Sequence, residues 1–519
     1  MLIAFPPPLL DANGMVVLKE LEDEPATKKA AAIDANPNVT ITPHSTASGT
    51  TTDRIKIFRR PYAHFLINHA VNTFCSECFK KPELVDKLMT CSACSFARYC
   101  SKDCQKQAWR MHKEECGRLK IAFPKLPMTE VMFLSRIIDR RRFIEAEGDK
   151  GGWEAERTFD ELIGHNDEIK KDASRMERFT KIFDKLKMFR IEEMSEAEVF
   201  DVYCKSTINS HTIQSMEGEE VGLSLDLGVS RYDHSCRPNC SMLFDGYYAY
   251  IRPLTPDVNP NDYATSTISY TDVGRSRYQR RKDLREKWYF ECHCERCEDP
   301  ADDLMTAIRC KNILCDEPIL IAEDSEPKRM DCPKCKAEID FEYIVRGQQT
   351  MLELPTRYSS DDKVDKLKEH LERARPILHE KNVYLSRLET AILHISGKLG
   401  DNIASLYSKV QSNFSACFPA TESAKSFGLV EHCAQLIREG KRSEAAPVAF
   451  DAMCLLEASL GLSHPNYLRV LALWTFLDKK ADKTDDELLE LCRMDENAEV
   501  KPIDLSEVLQ GVTFKQATE

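Results

Sequence analysis

The sequence predicts an α+β protein: a β-rich region set between long helical stretches, with cysteine-rich segments that metal ions would fold. Three observations predict it. Cysteines crowd between residues 75 and 116 at ligand spacing. Near Asn209 the character changes, and until about Tyr270 Gly, Asp, Ser, Tyr and short apolar pairs replace helical periodicity. After Tyr343 apolar residues recur three and four apart almost to the end.

The first cysteine-rich stretch reads Cys75-x2-Cys78-x12-Cys91-x2-Cys94-x5-Cys100-x3-Cys104-x7-His112-x3-Cys116. Seven thiols and one imidazole make two sets of four soft ligands, the number that two tetrahedral zinc ions require. A Cys-x2-Cys pair bends the backbone so that both sulfurs face one ion. The run is too short to build a dense core, so metal binding must supply its folding energy. A disulfide cluster is the competing reading, and it conflicts with the intracellular character of the rest of the chain.

The whole chain has 519 residues, enough for about two to four domains. Its formal charge is −13, from 72 Lys and Arg against 85 Asp and Glu. That argues against a protein whose main task is to clamp nucleic acid through phosphates. Residues 75–120 are locally basic, with ten Lys/Arg against six Asp/Glu; a solvated face is the favoured reading of that patch. Residues 1–10 lack a basic segment and carry Pro6, Pro7 and Pro8, which makes a poor signal peptide. No run of about 18 apolar residues predicts a membrane span. The 21 cysteines are therefore expected in a reducing compartment, where clustered thiols mean metal. Cys417, Cys433, Cys454 and Cys492 are scattered and read as buried apolar side chains.

Taken in order, residues 1–50 are low in aromatics and read as a mobile tail. Residues 54–58 (RIKIF) alternate charged and apolar side chains, a strand signal, and lead through Arg60-Pro61-Tyr62 into the finger. Residues 128–144 form an amphipathic helix, and residues 154–205 are charged and helical. Residues 247–252 (YYAYIR) and 266–270 (STISY) read as strands on either side of a Pro/Asn/Asp turn region. Residues 275–290 are a basic helix ending in Cys292-x-Cys294-x2-Cys297. Three thiols cannot complete a tetrahedron, and Cys236 is the natural fourth ligand. Cys310-x4-Cys315-x16-Cys332-x2-Cys335 has knuckle spacing for a zinc of its own; four reduced thiols on a loop is the alternative. In the C-terminal part, faces such as Leu385, Leu388, Ile392 and Ile395, or Leu429, Cys433 and Leu436 before Gly440, suggest paired amphipathic helices. A solenoid of helical hairpins and an ordinary bundle both fit.

The chemistry-bearing residues converge on one constellation. Asp233-His234-Ser235-Cys236-Arg237-Pro238-Asn239-Cys240 is a compact polar turn containing a thiol, followed by Ile268-Ser269-Tyr270-Thr271-Asp272 and then the three-thiol cluster. Zinc joining Cys236 to that cluster would fold the basic helix back over the turn. It would leave a partly closed pocket walled by Tyr270 and the aromatics at 288–290. Aromatic walls and a phenol suit a cation on an alkyl stem, such as lysine.

Residues 75–116 resemble a MYND zinc finger, a family that interleaves its ligands. The resemblance implies that Cys75, Cys78, Cys100 and Cys104 hold one zinc, and Cys91, Cys94, His112 and Cys116 the other. The finger, the HSCxPNC turn, the SY-x-D strand and the Cys-x-Cys-x2-Cys tail, in that order ahead of a helical C-terminus, resemble the SET and MYND domain (SMYD) family over about residues 54–480. Members are lysine methyltransferases that use S-adenosylmethionine, with the SET domain split by the finger. The resemblance implies that Tyr270 is the catalytic pocket tyrosine and that Asn209 and Ser210 line the lysine channel with Trp288 and Tyr289. It places Asp233, His234, Phe290 and, more weakly, His165 against the cofactor, and Cys236, Cys292, Cys294 and Cys297 around a third zinc.

It further implies an order of parts: a tail (1–50), the first SET piece (51–74), the MYND finger (75–116), a helical insertion (117–205), the SET core (206–274), a post-SET zinc segment (275–300), the second cysteine cluster (301–345) and a tetratricopeptide-like helical domain (346–519). Three departures stand out. The family's G-x-G-L-x-A stretch falls near residues 43–52, where Gly49 alone remains. Asp233 replaces the turn's usual Asn, and Trp288 aligns with the second pocket tyrosine. Two readings therefore stand: a methyltransferase acting on histone or other lysines, and an inactive adaptor whose finger grips a Pro-rich peptide. A DNA-binding zinc protein is disfavoured by finger spacing and acidity, and nucleus and cytoplasm are both expected locations.

Overall fold

The structure, a computed structural model, describes residues 55–82, 87–147, 157–190, 192, 194–216, 218–355, 358, 363–398, 423–462 and 464–494. The expected tail, the stretch 43–52 with Gly49, and Cys417 lie outside the described residues.

Two strands precede the finger, β1 (Lys56–Phe58) and β2 (Ala63–Leu66), on either side of Arg60-Pro61. The second was not anticipated from the sequence. Within the finger, β3 (Met89–Thr90) pairs antiparallel with β4 (Arg98–Tyr99). Helix α1 (Lys102–Ala122) follows, and its N-cap Ser101 accepts from Cys104 N, setting the ligand Cys104 in the first turn. Then come α2 (Thr129–Glu147), α3 (Asn166–Lys171), α4 (Ala173–Arg190) and α5 (Glu196–Asn209). The expected helix at 128–144 is thus present, and the charged stretch to Lys205 is three helices with an irregular lead-in at 157–165.

The next strands are β5 (Ser210–Gln214), β6 (Glu220–Leu225), β7 (Asp233–His234), β8 (Cys240–Asp245), β9 (Tyr248–Pro253) and β10 (Thr267–Ile268). They form two antiparallel sheets, β2-β6-β5 and β1-β9-β8, and a parallel pair, β7 with β10. Strands from before the finger complete both sheets, whose other members lie beyond Asn209. The sheet region is therefore one body interrupted in sequence by the finger and α1–α5. Burial explains the arrangement: Phe65 on β2, Ile213 on β5 and Val221 and Leu225 on β6 share a core with Ile137 of α2 and Leu186 of α4. Phe58 of β1 packs edge-on against buried Tyr232.

Two of the contacts that fasten the finger to this body stand out. Arg136 of α2 donates from Nε and Nη2 to the two carboxylate oxygens of buried Glu115 on α1, at 2.5 and 2.7 Å, and also donates to His64 O on β2. The β8–β9 turn presses Gly246 against the finger; a Cβ there would lie 2.1 Å from Cys78 O, and its φ of +61° suits glycine.

Helix α6 (Arg277–Trp288) is capped by Ser276 and ends where Tyr289 turns left-handed at φ 59°, so the basic helix is shorter than 275–290. α7 (Glu295–Glu298), the hairpin β11 (Met330–Asp331) with β12 (Glu338–Ile339), and α8 (Phe341–Glu353) follow. The chain then continues through α9 (Val364–Ala374), α10 (Val383–Lys398), α11 (Ser423–Arg438), α12 (Arg442–Leu460), α13 (Pro465–Asp478) and α14 (Asp485–Leu491). The expected apolar faces are inside: Leu385, Leu388 and Ile392 are buried, as are Cys433 and Leu436, while Cys454 and Cys492 are half-buried. The helical part grips the sheets at two places. Arg387 of α10 donates to Asp272 Oδ2 at 3.0 Å and Gly274 O at 3.3 Å. Arg252 of β9 donates to Ala458 O and Glu457 O, both at 3.2 Å, at the C-terminal end of α12.

Candidate active site and metal centres

The ligand sets separated in sequence come together in space. Cys75, Cys78, Cys100 and Cys104 form one group, and Cys91, Cys94, His112 and Cys116 a second; in each, the ligand atoms lie within 4.8 Å of one another. Cys78 and Cys100 sulfurs are 3.7 Å apart, Cys91 and Cys116 3.8 Å, and Cys94 Sγ is 3.6 Å from His112 Nε2. Zinc–sulfur bonds of about 2.3 Å give a tetrahedral edge of about 3.8 Å, so these separations suit zinc. They are far too long for a disulfide, whose sulfurs stand about 2 Å apart.

Cys236, Cys292, Cys294 and Cys297 form a third group, with Cys236 Sγ 3.6 Å from Cys297 Sγ and 4.0 Å from Cys292 Sγ. Cys310, Cys315, Cys332 and Cys335 form a fourth. All four groups have the donor chemistry of zinc sites.

Four thiolates around a divalent ion leave a charge of −2, which burial makes costly without counter-charge. Two buried guanidiniums stand beside the third group. Arg280 Nη2 lies 3.6 Å from Cys297 Sγ, and Arg296 Nη1 donates to Cys236 O. Asp302 accepts from both, at 2.7 Å from Arg280 and 2.9 Å from Arg296. Asp302→Ala would strand two buried cations, so unfolding in urea should show about 3–5 kcal/mol of lost stability. An unchanged urea midpoint would show that the ensemble of charges does not depend on this carboxylate.

The third group forms part of the wall of a cavity of about 670 Å³, within the usual range for small-molecule sites. Asn209 and Ser210 enter it from the α5–β5 junction, Asp233 and His234 from β7, and Tyr270 from just beyond β10. Trp288 and Phe290 enter from the end of α6, and His165 from the start of α3, whose φ of 53° is left-handed. The aromatic rings form a ladder. Trp288 and Tyr270 centroids are 5.3 Å apart, Tyr270 and His234 5.3 Å, and His234 and Phe290 6.2 Å.

Hydrogen bonds hold the ladder. Tyr270 N donates to His234 Nδ1 at 3.0 Å, and Tyr270 Oη donates to Tyr232 O at 2.5 Å. Trp288 Nε1 donates to Ile208 O, and the Asn209 amide donates to Ile163 O and Lys205 O. Burial, reinforced by the charge of Asp233, pushes the Tyr270 phenol up to about 12, so it stays protonated. Burial lowers His234 to about 4, leaving a neutral imidazole at neutral pH.

Tyr289 is the residue that the structure does not bring to the cavity. Its left-handed turn sends the phenol toward Asp172 Oδ2, 3.3 Å away, with its ring 5.7 Å from that of His165. Sequence reasoning missed Arg157, His211 and Met242, which line the cavity. Buried His211 Nε2 has no hydrogen-bond partner among the described residues. His211 follows Asn209-Ser210 on β5, which could have flagged it. Arg157 is held by Ser230, 73 residues away, and carries no local signal, while Met242 comes in on the β8–β9 hairpin.

Fold and site together define a MYND-finger protein of mixed helix and sheet, with an aromatic cavity lined in part by Cys292 and Cys294. The chain matches the MYND finger family over residues 75–116. Human histone-lysine N-methyltransferase SMYD3 is 32% identical over 255 residues, which are 47% of this chain and 57% of that protein. Arabidopsis thaliana histone-lysine N-methyltransferase ASHR1 is 26% identical over 325 residues, 59% of this chain and 65% of that one. SET domain and MYND-type zinc finger protein 6 of Schizosaccharomyces pombe is 28% identical over 228 residues, 43% of each. The matched stretches thus span less than two thirds of each of these relatives. These likenesses make the chain similar to proteins that carry a SET domain and a MYND finger.

Proposed function

We propose that this chain is a protein-lysine N-methyltransferase that uses S-adenosylmethionine and acts on histone or other protein lysines in nucleus and cytoplasm. The observation that carries the reading is the aromatic cavity lined in part by Cys292 and Cys294, two of the four clustered thiols of the third group. The residues fit the cofactor in kind. Phe290 and His234 offer faces for an adenine. Asp233 and Arg157, opposite in charge, suit the ammonium and carboxylate of an amino acid. His211 Nε2 offers an unused hydrogen-bonding atom. When bound, the cofactor would supply an electrophilic methyl on a sulfonium.

This chain's residues would prepare the amine. Lysine must arrive neutral, and burial between Tyr270 and Trp288 depresses its pKa by penalising the ammonium. With its proton engaged on Tyr232 O, the Tyr270 oxygen keeps lone pairs that can accept from the amine and orient it. The first three metal groups would hold structural zinc, with every ligand position filled by protein.

Calorimetric titration with S-adenosylhomocysteine tests the reading: saturable binding is expected, and none at millimolar ligand would rule it out. In that event the adaptor reading takes over. One observation favours it: Trp109, on the finger helix α1, is 51% exposed, and exposed aromatics are the usual seat of Pro-rich peptides.

A further inference from the structure

The backbone of the finger contains a device that recurs far away. At Cys75-x2-Cys78, Phe79 N donates back to Cys75 O, Cys75 N donates to Lys80 O, and Phe79 is left-handed at φ 60°. At Cys91-x2-Cys94, Ser95 N donates to Cys91 O, Cys91 N to Ala97 O, and Ser95 has φ 57°. At Cys332-x2-Cys335, Lys336 N donates to Cys332 O, Cys332 N to Ala337 O, and Lys336 has φ 60°. Phe, Ser and Lys share no preference for left-handed backbone. Such residues adopt it at a cost, when their surroundings require it. In all three places the shared element is a Cys-x2-Cys pair whose sulfurs must face one point.

The other two thiols complete the arrangement. Cys310 and Cys335 sulfurs are 3.5 Å apart, Cys315 and Cys332 3.8 Å, and all four lie within 4.8 Å of one another. These are the separations seen in the finger and far from those of a disulfide. Cys310 and Cys332 are buried, and they share a hydrophobic cluster with Leu385 and Leu388 of α10.

We propose that Cys310, Cys315, Cys332 and Cys335 hold a fourth zinc ion that clamps the 308–339 segment on itself and so shapes the face that packs on the first helices of the C-terminal part. The site is independent of the cavity and of the methyltransferase reading. Four thiolates and no open position make it structural, with no catalytic share.

Elemental analysis of the full chain should find four zinc per molecule. The double variant C315S/C335S, which alters the two half-exposed ligands, should keep three. A second measurement needs no variant. In the zinc-replete native chain, Cys315 and Cys335 should resist iodoacetamide, and they should react once a chelator has stripped the metal. Three zinc per wild-type chain would overturn the proposal. So would ready alkylation of these two thiols in the zinc-replete chain, or iron in place of the fourth zinc.

Discussion

Tyr270→Phe should reduce methyl transfer to a lysine peptide by about 100-fold, the scale for losing one preorganised polar group at a reacting centre. The change removes one oxygen and keeps the ring, so the tilted ring contacts with Trp288 and His234 survive. Zinc content and S-adenosylhomocysteine affinity should therefore stay near wild type. The freed Tyr232 carbonyl should cost about 1 kcal/mol of stability. Transfer is read in single turnovers, which separate chemistry from product release. Wild-type rates in the variant would show that the phenol does not orient the amine, and the role assigned to Tyr270 would fall.

Cys236→Ser is expected to be the more drastic change. The thiol sits on the turn after β7, and its three partners lie 56 to 61 residues later. Losing one of four ligands should weaken metal binding by more than roughly 100-fold, the upper end for mere outer-shell partners. Cofactor-analogue binding should vanish, one zinc should be lost, and the thermal midpoint should fall. Retained binding of S-adenosylhomocysteine with one zinc fewer would show that the wall stands without its metal.

The parts legible in the sequence were those whose geometry is local or whose chemistry admits few partners. Each Cys-x2-Cys pair of the finger is local, so spacing marks it as a metal half-site, while the interleaving of the halves, with Cys78 and Cys100 22 residues apart, came from the family resemblance. The trio at 292–297 demanded a fourth thiol, and the polar turn at 236 supplied it. Side-chain direction at a helix end was harder to read. Whether Trp288 or Tyr289 faces the cavity depends on Tyr289 turning left-handed, which no periodicity announces. The strand Ala63–Leu66 was invisible because its reason for being a strand is β6, more than 150 residues away. The cavity's Arg157 was missed on a related account: it is in no strand, and its guanidinium is held by Ser230, 73 residues away.

Arg252 gives one further consequence. A helix ends with carbonyls that nothing in the helix can satisfy and with a partial negative charge. For α12 a guanidinium from a strand of the sheet region serves as terminator. The following Gly461, at φ +92°, suits glycine, and a Cβ there would stand 2.7 Å from that same guanidinium and push it aside. Strand and helix thus complete each other's bonding, and neither keeps its shape cheaply alone. Heating should melt the sheets and the α12 region in a single calorimetric transition.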